Sequence, residues 1–133
     1  MKTRQVSAFL ENAPGRFLYL LNVLAEARVN LKAHNIVDAS EFGIVHLLVD
    51  DPDRALQAIR DAGMTCSMST VLDVIVPDEP GAFVERVLKP LAAANVNIEY
   101  SYTFNAPRPG ESRIVLKVDD LERGEKALNA TTA

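Results

Sequence analysis

The chain has few of the features that mark secreted, membrane-spanning or nucleic-acid-binding proteins. Its one cysteine, Cys66, excludes an intrachain disulfide and fits a reducing cytosol. No apolar stretch approaches the roughly 20 residues that span a bilayer, and the N-terminal residues have no apolar signal core. The net charge is −4 and there is no basic run, which argues against nucleic acid. We therefore expect a cytoplasmic protein with neither a membrane nor a nucleic acid as partner.

The sequence also lacks the spacings typical of catalytic sites. It has no recognisable nucleophile–base pair, metal-ligand cluster or phosphate-binding loop. An enzyme would have His46, Asp73 and Glu99 as its acid–base groups, and nothing in the sequence brings them together. We expect no catalytic residue, no metal and no cofactor. Two alternatives stay open: a small enzyme with a cleft beside a sheet, and a purely structural pairing module.

A proline–glycine turn lies between a strand-like and a helix-like segment twice in the chain. The N-turn consists of Asn12, Ala13, Pro14, Gly15, Arg16 and Phe17, and the C-turn of Asp78, Glu79, Pro80, Gly81, Ala82 and Phe83. The glycines and the phenylalanines recur at one spacing, 66 residues (81 − 15). Proline presets φ for a helix start, and glycine permits close approach of the backbone. Each turn is predicted to direct helix N-terminal N–H groups at a ligand, although a plain structural turn is the alternative.

Hydrophobic periodicity predicts two copies of one unit without a linker, over residues 1–70 and 71–133. The first copy reads as strand, helix, strand, strand, helix and strand at residues 5–11, 16–27, 31–37, 43–49, 53–62 and 65–69. The second reads as strand, helix, strand, strand and helix at 71–76, 81–94, 98–104, 113–118 and 121–129. Pro90 is expected to kink or break its helix. The second copy lacks its last strand, so a neighbouring chain covers that sheet edge or the edge stays open.

This order is the α+β, ferredoxin-like βαββαβ pattern with antiparallel sheets. A Pro-Gly turn followed by Val29-Asn30-Leu31, and again by Val96-Asn97-Ile98, resembles the ACT domain. Within that family, the motif is similar to the serine-sensing ACT domain of 3-phosphoglycerate dehydrogenase. The resemblance covers nearly the whole chain, as two tandem copies.

The resemblance implies a non-catalytic regulatory protein that binds a free amino acid at interfaces between ACT domains. The ligand would be held by the turn residues of one domain together with the Asn opening strand 2 of a neighbouring domain. By position the ligand-binding residues are those of the N-turn with Asn30 and Leu31, and those of the C-turn with Asn97 and Ile98. Leu10 stands where that relative has a histidine, so the identity of the amino acid stays open.

Three further expectations concern charge, helix ends and partners. Asp78 would prefer an ammonium to a carboxylate, so the two sites would differ in affinity. Asn30 and Asn97 read equally well as residues that end helices. A homodimer and a partner enzyme are expected, and a related possibility is that the chain is a regulatory subunit of an amino-acid metabolic enzyme.

Overall fold

The structure is a computed structural model that describes residues 1–39 and 41–132. Ala133, the last residue of the second predicted copy, therefore lies outside the described residues. The chain divides into two compact units. The N-terminal unit is Arg4–Ser69, and the C-terminal unit is Thr70–Ala133 together with Met1–Thr3. None of the helices in the described part is long and apolar enough to cross a membrane.

The N-terminal unit has the predicted element order. Its elements are β1 (Lys2–Glu11), α1 (Arg16–Glu26), β2 (Leu31–Ala39), β3 (Phe42–Val49), α2 (Pro52–Asp61) and the start of β4 (Cys66–Pro77). The strand order is β2-β3-β1-β4, and β2, β3 and β1 pair antiparallel. Alternation along β1 puts Val6, Ala8 and Leu10 on the face covered by the helices. Leu20 and Leu24 of α1 pack on that face and complete one core.

The C-terminal unit repeats this arrangement. It contains the end of β4, then α3 (a π-helical turn Val84–Leu88 followed by α-helix Lys89–Ala93), β5 (Ile98–Phe104), β6 (Glu111–Val118) and α4 (Leu121–Thr132). Its strand order is β4-β6-β5, with antiparallel pairing. The two strands predicted at 65–69 and 71–76 are one continuous strand, because no glycine or proline lies between them to turn the chain.

Pro90 does not break α3. A break was one of the two outcomes expected from the sequence, and a kink was the other. The helix comprises a π-helical turn, Val84–Leu88, that continues directly into α-helix Lys89–Ala93. The N–H of Lys89 donates to the carbonyl of Val84, five residues back. Proline lacks a backbone donor, and its ring crowds the residues one turn earlier in a helix. Because the turn before Pro90 is the wider π-helical turn, the ring is accommodated and the helix continues through Pro90.

The sheet position left empty by the second copy's missing strand is taken by the chain's own first residues. No strand follows α4 among the described residues. Instead, the N–H of Asp73 in β4 donates to the carbonyl of Met1 at 2.6 Å, and Lys2 Nζ lies 3.6 Å from Glu125 of α4. At Asp73, the edge of β4 is therefore neither open nor covered by a neighbouring chain, the two outcomes expected from the sequence.

A bulge shifts the register at the start of β2, between Leu31 and Ala33, and at the start of β5, between Ile98 and Tyr100. Leu31 and Ile98 consequently turn toward the helix-covered cores. Both are predicted ligand-binding residues, and both side chains are partly buried against these cores.

We predict that deleting Lys2 and Thr3 selectively weakens the C-terminal unit, because Asp73 then has no carbonyl at the position of Met1. The amide of Asp73 should exchange with solvent faster, and the free energy of unfolding should fall by about 1–2 kcal/mol. Hydrogen exchange and urea denaturation measure both quantities. Lys2→Ala is the control, since it removes only an exposed ion pair. Unchanged exchange at Asp73 in the deletion variant would contradict this assignment.

Candidate functional site

The N-turn is held by a short set of backbone hydrogen bonds. Gly15 adopts a left-handed conformation with φ +82°, just before α1. The bonds are Asn12 N–H to Glu41 O (2.9 Å), Ala13 N–H to Glu11 O (2.9 Å), Arg16 N–H to Ala13 O (3.3 Å) and Tyr19 N–H to Gly15 O (3.0 Å). A Cβ built on Gly15 meets no atom within 4 Å. The glycine is thus required by its φ, and the space above it is open.

The C-turn has the same conformation and the same bonds. Gly81 has φ +81°. The bonds are Asp78 N–H to Gly110 O (2.9 Å), Glu79 N–H to Pro77 O (2.9 Å), Ala82 N–H to Glu79 O (3.2 Å) and Glu85 N–H to Gly81 O (2.9 Å). The repeat seen in the sequence is therefore also a repeat of backbone geometry.

Several N–H groups at the start of α1 have no hydrogen-bond acceptor in the described part of the chain. These are the N–H groups of Gly15, Phe17 and Leu18, and no side chain caps the helix. The N–H of Arg16, between them, donates to Ala13 O. Unpaired donors at a helix N-terminus favour an anion, since the peptide dipoles reinforce them.

Asn30 and Asn97 do not end the helices that precede them. Helix α1 ends with Arg28 in the left-handed conformation (φ +60°), and α3 with Asn95 (φ +57°). Val29 N–H donates to Leu24 O at 2.9 Å, and Arg28 N–H to Ala25 O at 3.0 Å. These are the two bonds of a Schellman motif. The helix-stop interpretation of the two asparagines is therefore wrong.

An aspartate instead fixes the backbone of each asparagine. Asp50 Oδ1 accepts the N–H of Asn30 at 2.9 Å, and Asp119 Oδ1 accepts the N–H of Asn97 at 2.9 Å. The carboxamides of Asn30 and Asn97 are exposed and have no partner within residues 1–39 and 41–132. Each is therefore presented at the surface on a rigid backbone.

The turn and the asparagine of one unit lie at opposite ends of the same strand. Asn12 pairs with Glu41, just before β3, while Asn30 pairs with Asp50, just after it. Eight strand residues at about 3.3 Å each separate them by roughly 26 Å. Asp78 and Asn97 are related by β6 in the same way. One amino acid cannot contact both members of either pair within one unit.

A small cavity of about 120 Å³, the N-cavity, adjoins the N-turn. Glu11, Asn12 and Ala13 line one side of it, and its other walls are Leu10, Phe17, Ile36, Gly43 and Val45. Phe17 also lies against the His34 ring, with centroids 5.3 Å apart. Pro14 and Gly15 are exposed beside the mouth. The guanidinium of Arg16 lies 5.1 Å from the ring centroid of Tyr19, and its Nε is buried without a hydrogen-bond partner in the described chain.

The corresponding C-cavity, about 220 Å³, adjoins the C-turn. Asp78 and Glu79 line it on the turn side, together with Phe83, and its other wall is formed by β4, β5 and β6. Pro80 and Gly81 are exposed, whereas Ala82 is buried. Neither carboxylate of Asp78 or Glu79 has an ion-pair partner in the described chain. The C-turn therefore carries negative charge where the N-turn carries Arg16.

The possible acid–base groups of the C-terminal unit are each engaged by a basic partner. Asp73 accepts two hydrogen bonds from Arg113, at 2.9 and 2.7 Å, and Glu99 accepts one from Lys117 at 2.8 Å. His46 instead lies in the N-terminal unit, on β3. No group of three or more metal-ligating side chains occurs among the residues the structure describes.

A buried polar cluster on β1 and β3 was missed by the sequence reasoning. Ser7 Oγ lies 2.9 Å from His46 Nδ1, and Gln5 Nε2 lies 3.3 Å from the same nitrogen. Ser7 and His46 are each 8% exposed and Gln5 is fully buried, so a substrate has no access to this serine–histidine pair. Strand register alone brings Ser7 opposite His46, and no local motif could have indicated it.

One family model matches nearly the whole chain. The family model described as "ACT domain pair" matches residues 1–130. The crystal structure of protein BT0572 from Bacteroides thetaiotaomicron superposes with a TM-score of 0.92 at 32% identity, covering 99% of this chain and 90% of that chain. No curated protein matches the chain.

Regulatory subunits of aspartate kinase share the fold at lower identity. The ligand-free subunit from Thermus thermophilus gives a TM-score of 0.67 at 18% identity, covering 97% of this chain and 90% of that one. The subunit from Thermus flavus gives 0.68 at 16%, covering 99% and 94%.

We predict that Gly15→Val destabilises the protein more than Gly15→Asn. Both side chains enter open space, but a β-branched residue at positive φ costs about 1–2 kcal/mol, whereas asparagine tolerates that region. Urea denaturation monitored by circular dichroism compares the two. Equal free energies of unfolding would show that φ at this turn is not the constraint.

We also predict that stability falls as the pH drops through about 6.5, the ordinary pKa of histidine. Burial lowers the pKa of His46 in the folded protein, so the unfolded state binds more protons in that range and is favoured. Thermal melting from pH 8 to pH 5 measures the dependence. His46→Gln should reduce it, and His34→Gln, at an exposed position, should not. An unchanged slope in His46→Gln would refute the assignment.

Proposed function

Because the chain belongs to the ACT domain family, as an ACT domain pair, we propose that it is a non-catalytic sensor of a free amino acid. One ACT domain corresponds to residues 1–70 and one to residues 71–133. The observation that carries the proposal is the repeated turn, with its unpaired N–H groups beside a small cavity. We expect the protein in the cytoplasm, because a sensor must encounter the same free amino acids as the metabolic enzymes.

The N-turn is the stronger candidate for the ligand's carboxylate. The N–H groups of Gly15, Phe17 and Leu18 converge at the N-terminus of α1 without an acceptor in the described chain. Arg16 adds a positive charge there, with one guanidinium nitrogen unsatisfied. A carboxylate would accept from these N–H donors, and the positive charge of Arg16 would favour it.

The ligand's ammonium requires an acceptor that the same unit cannot bring to the N-turn. Asn30 presents a free carboxamide, but at the far end of β3. The carboxamide oxygen accepts from an ammonium, and the NH₂ group donates to a carboxylate. We place this group in the N-terminal unit of a second copy, so that a two-fold homodimer has two equivalent sites. The amino acid then bridges the two copies.

Such a bridge would make the ligand a regulator of assembly. An amino acid that binds only the paired arrangement shifts the population toward it by its differential affinity. A partner enzyme that recognises one arrangement would then respond to the amino acid. This role needs no acid–base group. Asp73 and Glu99 are engaged in ion pairs, and His46 is buried.

A second candidate function is a detached regulatory subunit of an amino-acid metabolic enzyme. It is favoured by the fold shared with the aspartate kinase regulatory subunits over nearly the whole chain. Pull-down from the native cell separates the two candidates: a stoichiometric metabolic enzyme supports the subunit, and recovery of the chain alone supports the independent sensor.

We predict that at least one of the twenty amino acids binds with micromolar to millimolar affinity. Calorimetry and a ligand-induced rise in melting temperature measure this. The double variant Asn12→Ala/Asn30→Ala should lose binding by at least about tenfold while its melting temperature without ligand changes little, since both side chains are exposed. Asn22→Ala, an exposed asparagine on α1, is the matched control. Twenty flat titrations would refute the sensor, and undiminished binding by the double variant would place the site elsewhere.

A further inference from the structure

The cavities beside the two turns have the same position in their units but different walls. Gly43 pairs with Leu10 directly before the N-turn, and Ser112 pairs with Val76 directly before the C-turn. Ile36 lies opposite Val45, as Thr103 lies opposite Ile114. Strand pairing thus establishes that Ile36 corresponds to Thr103 and Gly43 to Ser112. The differences between the cavities can be compared position by position.

Glu11 and Asn12 are the polar residues that line the N-cavity, and its other walls are apolar. Leu10, Phe17, Ile36 and Val45 supply only carbon atoms, and Gly43 supplies only backbone. Transfer of an apolar group from water to these walls is favourable. It leaves no buried polar group of the walls without a hydrogen bond. Against the walls formed by Leu10, Phe17, Ile36 and Val45, a hydroxyl group would have no side chain to hydrogen-bond.

Three hydroxyl groups line the C-cavity, and one of them, that of Thr103, stands where the N-cavity has Ile36. They belong to Ser101, Thr103 and Ser112, and none is hydrogen-bonded to another residue in the part of the chain that the structure describes. A hydroxyl both donates and accepts, so these groups suit a polar side chain. Asp78 and Glu79 at the mouth add two negative charges that favour the ligand's ammonium and disfavour an acidic ligand.

From these walls we infer that the two cavities accept different amino acids. The N-cavity takes a ligand with a small branched aliphatic side chain, and the C-cavity takes one with a short hydroxyl-bearing side chain. This inference rests on the proposed amino-acid binding and goes beyond it, because it assigns a chemical class to each cavity. Volumes of about 120 and 220 Å³ are below those of sites for drug-sized molecules and match single amino acids.

Valine and threonine are the sharpest pair of probes. They have nearly the same shape and differ by a methyl against a hydroxyl group, so a difference between them reports polarity and not size. Methyl-labelled NMR identifies which cavity responds. Ile36 and Val45 report the N-cavity, and Val76 and Ile114 report the C-cavity. Valine should shift the first pair of resonances, and threonine the second.

Two reciprocal variants exchange the chemistry of the walls. In Ile36→Thr/Gly43→Ser, the N-cavity gains two hydroxyls. A Cβ at Gly43 lies 3.6 Å from Val37 O and 3.9 Å from Ile36 Cγ2, an ordinary contact distance, so the site admits it. In Thr103→Val/Ser112→Ala, the C-cavity loses two hydroxyls: Thr103→Val conserves the volume, and Ser112→Ala enlarges the cavity by one oxygen atom. A melting temperature equal to that of the wild-type protein shows that a variant is folded. If a double variant fails to fold, the single variant Gly43→Ser or Thr103→Val is used in its place.

We expect the first variant to weaken valine binding at the N-cavity by about tenfold and to leave threonine binding at the C-cavity unchanged. The second variant should do the converse. Binding of both probes at one cavity, or unchanged affinities in both variants, would overturn the inference while leaving amino-acid sensing intact. Failure of all twenty amino acids to bind the wild-type protein would remove the sensing proposal and this inference together.

Discussion

The pairing of β3 with its neighbours is the constraint on which the proposed site depends. One end of the strand holds the N-turn through the bond between Asn12 and Glu41, and the other end holds Asn30 through Asp50. A strand of eight residues cannot bend to bring its ends onto one small molecule. Any amino acid that uses both groups therefore connects two ACT domains, and binding becomes linked to assembly.

The duplicated unit keeps its backbone and changes its side chains. Gly15 and Gly81 share a left-handed conformation and the surrounding hydrogen bonds, and glycine adopts that conformation at little cost. Around this backbone, Arg16 is replaced by Ala82 and Asn12 by Asp78. Duplication thus conserves the means of presenting amides while the charge beside them reverses.

The order of strands and helices could be predicted from the sequence, because periodicity and the proline–glycine turns are local signals. The pairing of Met1–Thr3 with β4 could not, since it joins residues far apart in the chain. The helix stop at Arg28 was missed for another reason: a Schellman motif is defined by hydrogen bonds, and here its left-handed residue is neither glycine nor asparagine. The turns were located by sequence, whereas the cavities beside them required the register of three strands.

Subunit complementation tests the bridging ligand most directly. Chains carrying Asn12→Ala and chains carrying Asn30→Ala are titrated separately with the identified amino acid, then mixed under conditions that exchange subunits, and titrated again. In a two-fold dimer, each mixed dimer has one site with both asparagines intact. The account predicts weak binding by each variant alone and recovery of wild-type affinity in about a quarter of the sites after mixing. A mixture that binds no better than its components would contradict a site shared between two copies.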